Sequence, residues 1–230
     1  MALIKCPECE KEISDKAKKC PNCGYKSKTD FVEKYKSKIL KYSIIAVVIV
    51  VALVSTILGI NAHKKKKYKD EAKDIMISIL NSASDCEELA NLTGKVWYNA
   101  IYEKSDATTN KYTIKSYYYN STKTYYSDSE FVDDFNTALL SLFVDKKTSI
   151  ESIENKSKKI DEIMAKLDKY PKSLENIHNA LFEYYYNYQE LVEIATNPTG
   201  SYTEFSKNRN EVINNVTNSY KRLKTMLPDK

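Results

Sequence analysis

The chain carries no charged side chain from Tyr42 to Ala62, and the heart of that gap, Ile44 to Ile60, reads IIAVVIVVALVSTILGI. No other feature restricts the fold as strongly. A helix rises about 1.5 Å per residue and a bilayer's hydrocarbon core is roughly 30 Å thick, so about 20 apolar residues cross it. Apolar residues fall on every face of such a helix, which a half-buried surface helix does not permit. Lipid and the interior of a core are the environments that accept it, and the reading adopted is a transmembrane helix over 42–62. Ser55 and Thr56 can bond back to carbonyls of their own helix and so do not oppose insertion. Lys41 closes one end; Lys64, Lys65, Lys66 and Lys67 close the other. Tyr42 and Tyr68 stand where interfacial aromatics are usual. A cleaved signal peptide fits less well, because a long cysteine-bearing segment precedes the gap and Ile60-Asn61-Ala62 is a poor cleavage site.

The two sides of the gap differ. Residues 1–41 hold 11 Lys and 6 acids, whereas residues 64–230 hold 25 basic and 25 acidic residues, so the net charge of +5 lies wholly ahead of the gap. Four of the five cysteines also lie there, as Cys6-Pro7-Glu8-Cys9 and Cys20-Pro21-Asn22-Cys23-Gly24. Tetrahedral Zn²⁺ takes four thiolates at about 2.3 Å, and two C-x-x-C turns supply two each. Proline after the first cysteine presets the turn, and Gly24 can take the positive φ that aims backbone N–H groups at sulfur. So short a segment cannot bury enough apolar surface to fold alone; metal binding, at about 10–16 kcal/mol in zinc-finger peptides, supplies the stability. Paired disulfides would require an oxidising compartment, and a redox C-x-x-C would not come twice without a βαβ context. Iron in the same thiolate cage is the chemical competitor. The expectation is a zinc ribbon over 1–27 with Cys6, Cys9, Cys20 and Cys23 as ligands, then a basic juxtamembrane linker over 28–41.

These motifs, followed by a lysine-rich stretch and one apolar span, resemble the small bacterial zinc ribbons at the N-termini of single-pass membrane proteins. The layout is similar to that of the teicoplanin-resistance-associated membrane proteins. The resemblance covers about residues 3–62 and implies a cytoplasmic ribbon with an extracytoplasmic C-terminal part; it carries no activity to residues 64–230. Charge alone does not orient the span, since six lysines flank it closely on each side. Four reduced thiols independently favour a cytosolic N-terminus.

Beyond Lys64 the apolar residues recur at close to 3.6. One stripe runs Tyr68, Ala72, Ile75, Ile79, Ala83 and Cys86 toward Ile101, interrupted by Gly94; others follow Phe131 to Leu167, Leu174 to Val192, and Tyr202 to Leu227. Tyr170-Pro171 and Asn197-Pro198-Thr199-Gly200 separate the last three. The expected fold class is therefore mainly α: a small zinc ribbon, one transmembrane helix, and an antiparallel four-helix bundle over 63–230. Its long helices are expected at about 64–104, 128–169, 172–196 and 201–227, with short connections making neighbours antiparallel. Ser127 or Ser129 is the expected cap of the second helix and Ser201 of the fourth, with Glu204 completing a capping box. Residues 105–127, rich in Thr, Ser and Tyr, fit neither period and are read as irregular, with a loop, a hairpin or a helical extension all open.

No H-E-x-x-H, G-x-S-x-G or phosphate-loop motif is present, and no catalysis is expected. The many tyrosines read as bundle core with wet hydroxyls, His178 as a solvated or half-buried helix residue, Cys86 as a small core residue, and the acid pairs, such as Asp161-Glu162, as solvated faces with i,i+4 lysines. The function expected is a non-catalytic single-pass protein of the cell membrane. Its ribbon docks an unidentified protein, and its outer bundle binds or senses an envelope ligand. The alternative is a membrane-tethered ribbon that reads nucleic acid through Lys11, Lys16, Lys18, Lys19, Lys26 and Lys28; Glu8, Glu10, Glu12 and Asp15 dilute that patch.

Overall fold

A computed structural model describes residues 2–26, 28–119 and 123–228. The chain forms two compact units, residues 1–63 and 64–230. In the first, strands β1 (Leu3–Lys5) and β2 (Glu12–Ser14) pair antiparallel, with Ile4 opposite Ile13. Helix α1 (Lys28–Ile101) follows. It absorbs the stretch expected as a linker at 28–41 together with the apolar run and the first helix of the second unit. No proline falls between Lys28 and Ile101, and the two glycines there each cost only about 1 kcal/mol of helix propensity, so nothing local breaks the ladder.

Helix α1 ends earlier than residue 104. Lys104 N–H donates to the Asn99 carbonyl at 3.0 Å and Tyr102 N–H to Tyr98 at 3.0 Å, while Glu103 takes a left-handed φ of 50°. This closes the helix in the manner of a glycine cap without a glycine, so no residue type marks the stop. Of the alternatives left open for 105–127, the described residues show paired strands in place of an irregular segment. This stretch holds a short helix α2 (Asn110–Thr113) and the strands β3 (Ile114–Tyr119) and β4 (Lys123–Phe131), with residues 120–122 outside the described residues. Tyr117 faces Tyr125 and Tyr119 faces Lys123 across this antiparallel pair, and the register shifts between Ile114 and Ser116. Tyrosine and threonine favour the extended backbone, which is why the helical period is lost here.

The helix expected at 128–169 is two helices, α3 (Phe135–Asp145) and α4 (Lys147–Leu167), broken at Lys146. Ser127 and Ser129 belong to β4, and the cap of α3 is Asp134, whose carboxylate accepts from Asn136 N–H at 3.0 Å. A 3₁₀ turn over Lys172–Leu174 leads into α5 (Glu175–Thr196), and α6 (Tyr202–Met226) completes the chain. Ser201 and Glu204 form the expected capping box on α6.

One buried cluster draws on α1, α4, α5 and α6, with Ile75, Ile79, Ile153, Met164, Leu181, Tyr184, Leu191 and Leu223 all essentially sealed from solvent. Side-chain pairs give the helix directions. Tyr185 and Gln189 of α5 both reach Asp161 of α4, and Ser157 of α4 reaches Gln189, so these helices run oppositely. Asn187 meets Ser219 while Glu183 meets Arg222, which makes α5 and α6 antiparallel as well. Tyr68 meets His178 and Ser82 meets Tyr188, so α1 and α5 run the same way. At the interruption in the α1 stripe, a Cβ on Gly94 would run into the Arg209 guanidinium, so the glycine makes room for that side chain. A second, smaller cluster joins Val96 and Ala100 of α1 to Tyr112 of α2 and to Ala138 and Leu142 of α3.

Candidate metal centre

Each C-x-x-C motif folds into the same backbone turn. Cys6 N–H donates to the Lys11 carbonyl at 2.9 Å and Glu10 N–H to the Cys6 carbonyl at 2.9 Å; Cys20 N–H donates to Tyr25 at 2.7 Å and Gly24 N–H to Cys20 at 3.0 Å. The residue after the second cysteine is left-handed in both turns, Gly24 at φ 78° and Glu10 at φ 57°. The sequence marks the glycine but not its counterpart, because glutamate carries no such signal. The β1–β2 pairing closes the loop that carries Cys6 and Cys9, and the bridge between Lys19 and Lys26 closes the loop that carries Cys20 and Cys23.

The four sulfurs of Cys6, Cys9, Cys20 and Cys23 lie within 4.8 Å of one another. Cys6 and Cys23 sulfurs are 3.6 Å apart, and Cys9 and Cys20 sulfurs 3.8 Å. A tetrahedron of thiolates at about 2.3 Å from a central ion has edges of about 3.8 Å, so the cage has the size that Zn²⁺ requires. These spacings are far above the roughly 2.05 Å of a disulfide, and all four cysteines are free thiols. Cys6 and Cys20 are buried with Ile13 beside them, Cys9 is half-buried, and Cys23 is exposed. The core of the ribbon is thus largely its own ligand set.

Electrostatics within the cage points the same way. The backbone N–H groups of Cys23 and Asn22 draw the Cys20 thiol down to about 6. At Cys23 the Tyr25 N–H also lowers the pKa, but lost hydration and the sulfurs of Cys9, Cys20 and Cys6 outweigh it and hold the thiol up at about 12. Thiolates at this spacing repel one another, and a cation among them offsets that repulsion.

A zinc-ribbon domain model matches residues 5–27. An uncharacterized protein of Haemophilus influenzae is 49% identical over 39 residues, a match that covers 17% of this chain and 51% of that one. The match therefore spans about half the length of the relative. No solved structure matches the chain. The N-terminal segment is a zinc-ribbon domain with a four-thiol metal site.

The remaining candidates separate clearly. The segment of α1 around the uncharged gap reaches a mean hydropathy of 2.9 over 18 residues, and none of that window is buried. It is long and apolar enough to cross a membrane. Thr56 donates to the Ala52 carbonyl at 2.8 Å, the expected back-bond. Lys41, Lys64, Lys65, Lys66 and Lys67 are all exposed, and Lys67 lies 3.8 Å from Glu71. His178 corrects its reading: it is buried, its Nδ1 is 2.9 Å from the Tyr68 hydroxyl, and Tyr170 stacks on it at 3.8 Å. Burial lowers its pKa, against the pull of Asp168 and Glu175. Tyr68 lies too far away in sequence for any local pattern to have shown the pairing. Cys86 is fully buried, as expected, and burial pushes its thiol up to about 12. Asp161 is no solvated face, since it accepts from Tyr185 at 2.9 Å and from Gln189 at 2.7 Å. Glu162 and Lys166 do not pair; the i,i+4 pairs formed include Lys147–Glu151.

Proposed function

We propose that this chain is a non-catalytic, single-pass protein of the bacterial cell membrane. Residues 42–62 span the bilayer, the ribbon binds Zn²⁺ in the cytoplasm, and residues 64–230 form an outer antiparallel four-helix domain that binds or senses an envelope ligand. The observation that carries this reading is the uncharged run itself. Its large side chains, from Tyr42 at 69% to Ile60 at 49% exposed, lie open along the whole length. An apolar surface of that extent is stable in lipid and not in water.

Two observations support a docking role for the ribbon. Its zinc centre is built from thiolates alone, which leaves no open position for substrate chemistry. Its edge strand β1 presents Leu3 and Ile4 at 64% and 48% exposure, a small apolar surface suited to a protein partner. The nucleic-acid alternative is weaker, because Glu8, Glu10, Glu12 and Asp15 are all exposed on the same small domain and would repel phosphate.

Topology is tested by labelling Lys104→Cys on intact cells with a membrane-impermeant maleimide. Cys86, buried and with a raised pKa, gives little background. Labelling before lysis is the expected result; labelling only after lysis would overturn the outer placement.

A further inference from the structure

The first turns of α1 beyond the uncharged run border a cleft of about 400 Å³ within the helical unit, lined by Lys65, Lys66, Lys69 and Lys73 with Leu174, Met226, Leu227 and Pro228. Lys65, Lys69 and Lys73 are spaced four apart and so share one face of the helix. Leu174 and Leu227 are both buried, so the cleft's lining joins apolar side chains to lysines. Lys73 is held in place by donating to the Pro228 carbonyl at 2.5 Å. Among the described residues, no carboxylate lies within ion-pair distance of Lys65, Lys66 or Lys69, although Asp70 also lines the cleft. From Lys64 to Lys73 the sequence places six lysines against Asp70 and Glu71.

We infer that this cleft is a binding site for an anionic phospholipid, with the headgroup phosphate on Lys65, Lys66 and Lys69 and the start of an acyl chain against Leu174, Met226 and Leu227. The inference rests on the proposed span, which ends at Ala62, three residues before Lys65. The lysine stripe does more than flank a span, because it lies beside Leu174, Met226 and Leu227 in one cleft, where a lipid's phosphate and acyl chain can satisfy both together. Lysines near an anionic surface contribute about 1 kcal/mol each, which is about fivefold in affinity per residue.

The test uses the full-length protein in nanodiscs that mix phosphatidylglycerol with phosphatidylcholine, with retained lipid counted by native mass spectrometry. The wild type should retain phosphatidylglycerol in preference. Lys65→Gln/Lys66→Gln/Lys69→Gln should lower that preference by at least about tenfold. A matched variant at exposed lysines of α4, Lys158→Gln/Lys159→Gln/Lys166→Gln, should keep it. Equal preference in wild type and cleft variant would overturn the site, as would equal loss in both variants. Excess inorganic phosphate should leave the wild-type preference intact; its loss would overturn the lipid as the ligand. A protein that fails to enter nanodiscs at all would refute the span instead, so the two failures are distinct.

Discussion

Two tyrosines one turn apart on α5 should respond oppositely to the same chemical change. Tyr184 and Tyr188 are both fully buried, and burial raises the pKa of each, that of Tyr188 to about 12. Tyr188 shares a hydrogen bond of 2.9 Å with Ser82, itself 1% exposed. The Tyr184 hydroxyl is buried with no partner among the described residues. Replacing Tyr188 by Phe removes a bond and strands the Ser82 hydroxyl, costing about 1–3 kcal/mol. Replacing Tyr184 by Phe removes only a desolvated, unpaired group and should stabilise by about 1 kcal/mol. For a unit of this size, 1 kcal/mol moves Tm by about 2–4 °C. Thermal unfolding of the full chain in detergent, followed by circular dichroism, should therefore place Tyr184→Phe above wild type and Tyr188→Phe below it. A drop of equal size in both variants would refute the assignment of one satisfied and one orphaned hydroxyl.

Removing two ribbon ligands with Cys20→Ser/Cys23→Ser should abolish the one bound metal per chain, read by elemental analysis, and leave the helical unit's Tm unchanged. Ser201→Ala breaks the capping box on α6 and should cost about 1 kcal/mol, measured by the same melt. His178 should make the helical unit acid-sensitive. Its pKa is depressed in the folded state, so the unfolded chain binds the proton more tightly. The stability it confers is complete above its ordinary value of about 6.5 and is lost as pH falls through the lower folded value. His178→Phe should flatten the Tm-versus-pH curve in that window.

The ribbon and the apolar run were legible because each is local. Two C-x-x-C motifs fix their own turns, and a charge-free stretch needs no partner to be recognised. The helix stripes were also legible where the period is clean, as from Leu174 to Leu191 and from Val212 to Leu223. What escaped depended on backbone states without a residue signature or on distant contacts. Glu10 and Glu103 take left-handed conformations that sequence assigns to glycine. The stripe from Phe131 to Leu167 keeps its apolar spacing across Lys146, where α3 and α4 part and their buried residues go to different clusters, a division that spacing alone does not show. The β3–β4 pair was one of three alternatives left open, because strands that depend on each other leave no helical period to choose by. His178 was read as solvated or half-buried and Asp161 as part of a solvated face, because their partners lie on other helices.

In the proposed function, residues 42–62 lie in lipid and join a metal-bound ribbon to a helical domain. Its most direct test is to wash membranes carrying the full-length protein with alkaline carbonate, which strips peripheral proteins but not spanning ones. The chain should stay in the membrane pellet, and Val48→Lys/Val51→Lys/Val54→Lys should release it. A wild-type chain recovered in the carbonate supernatant would contradict it.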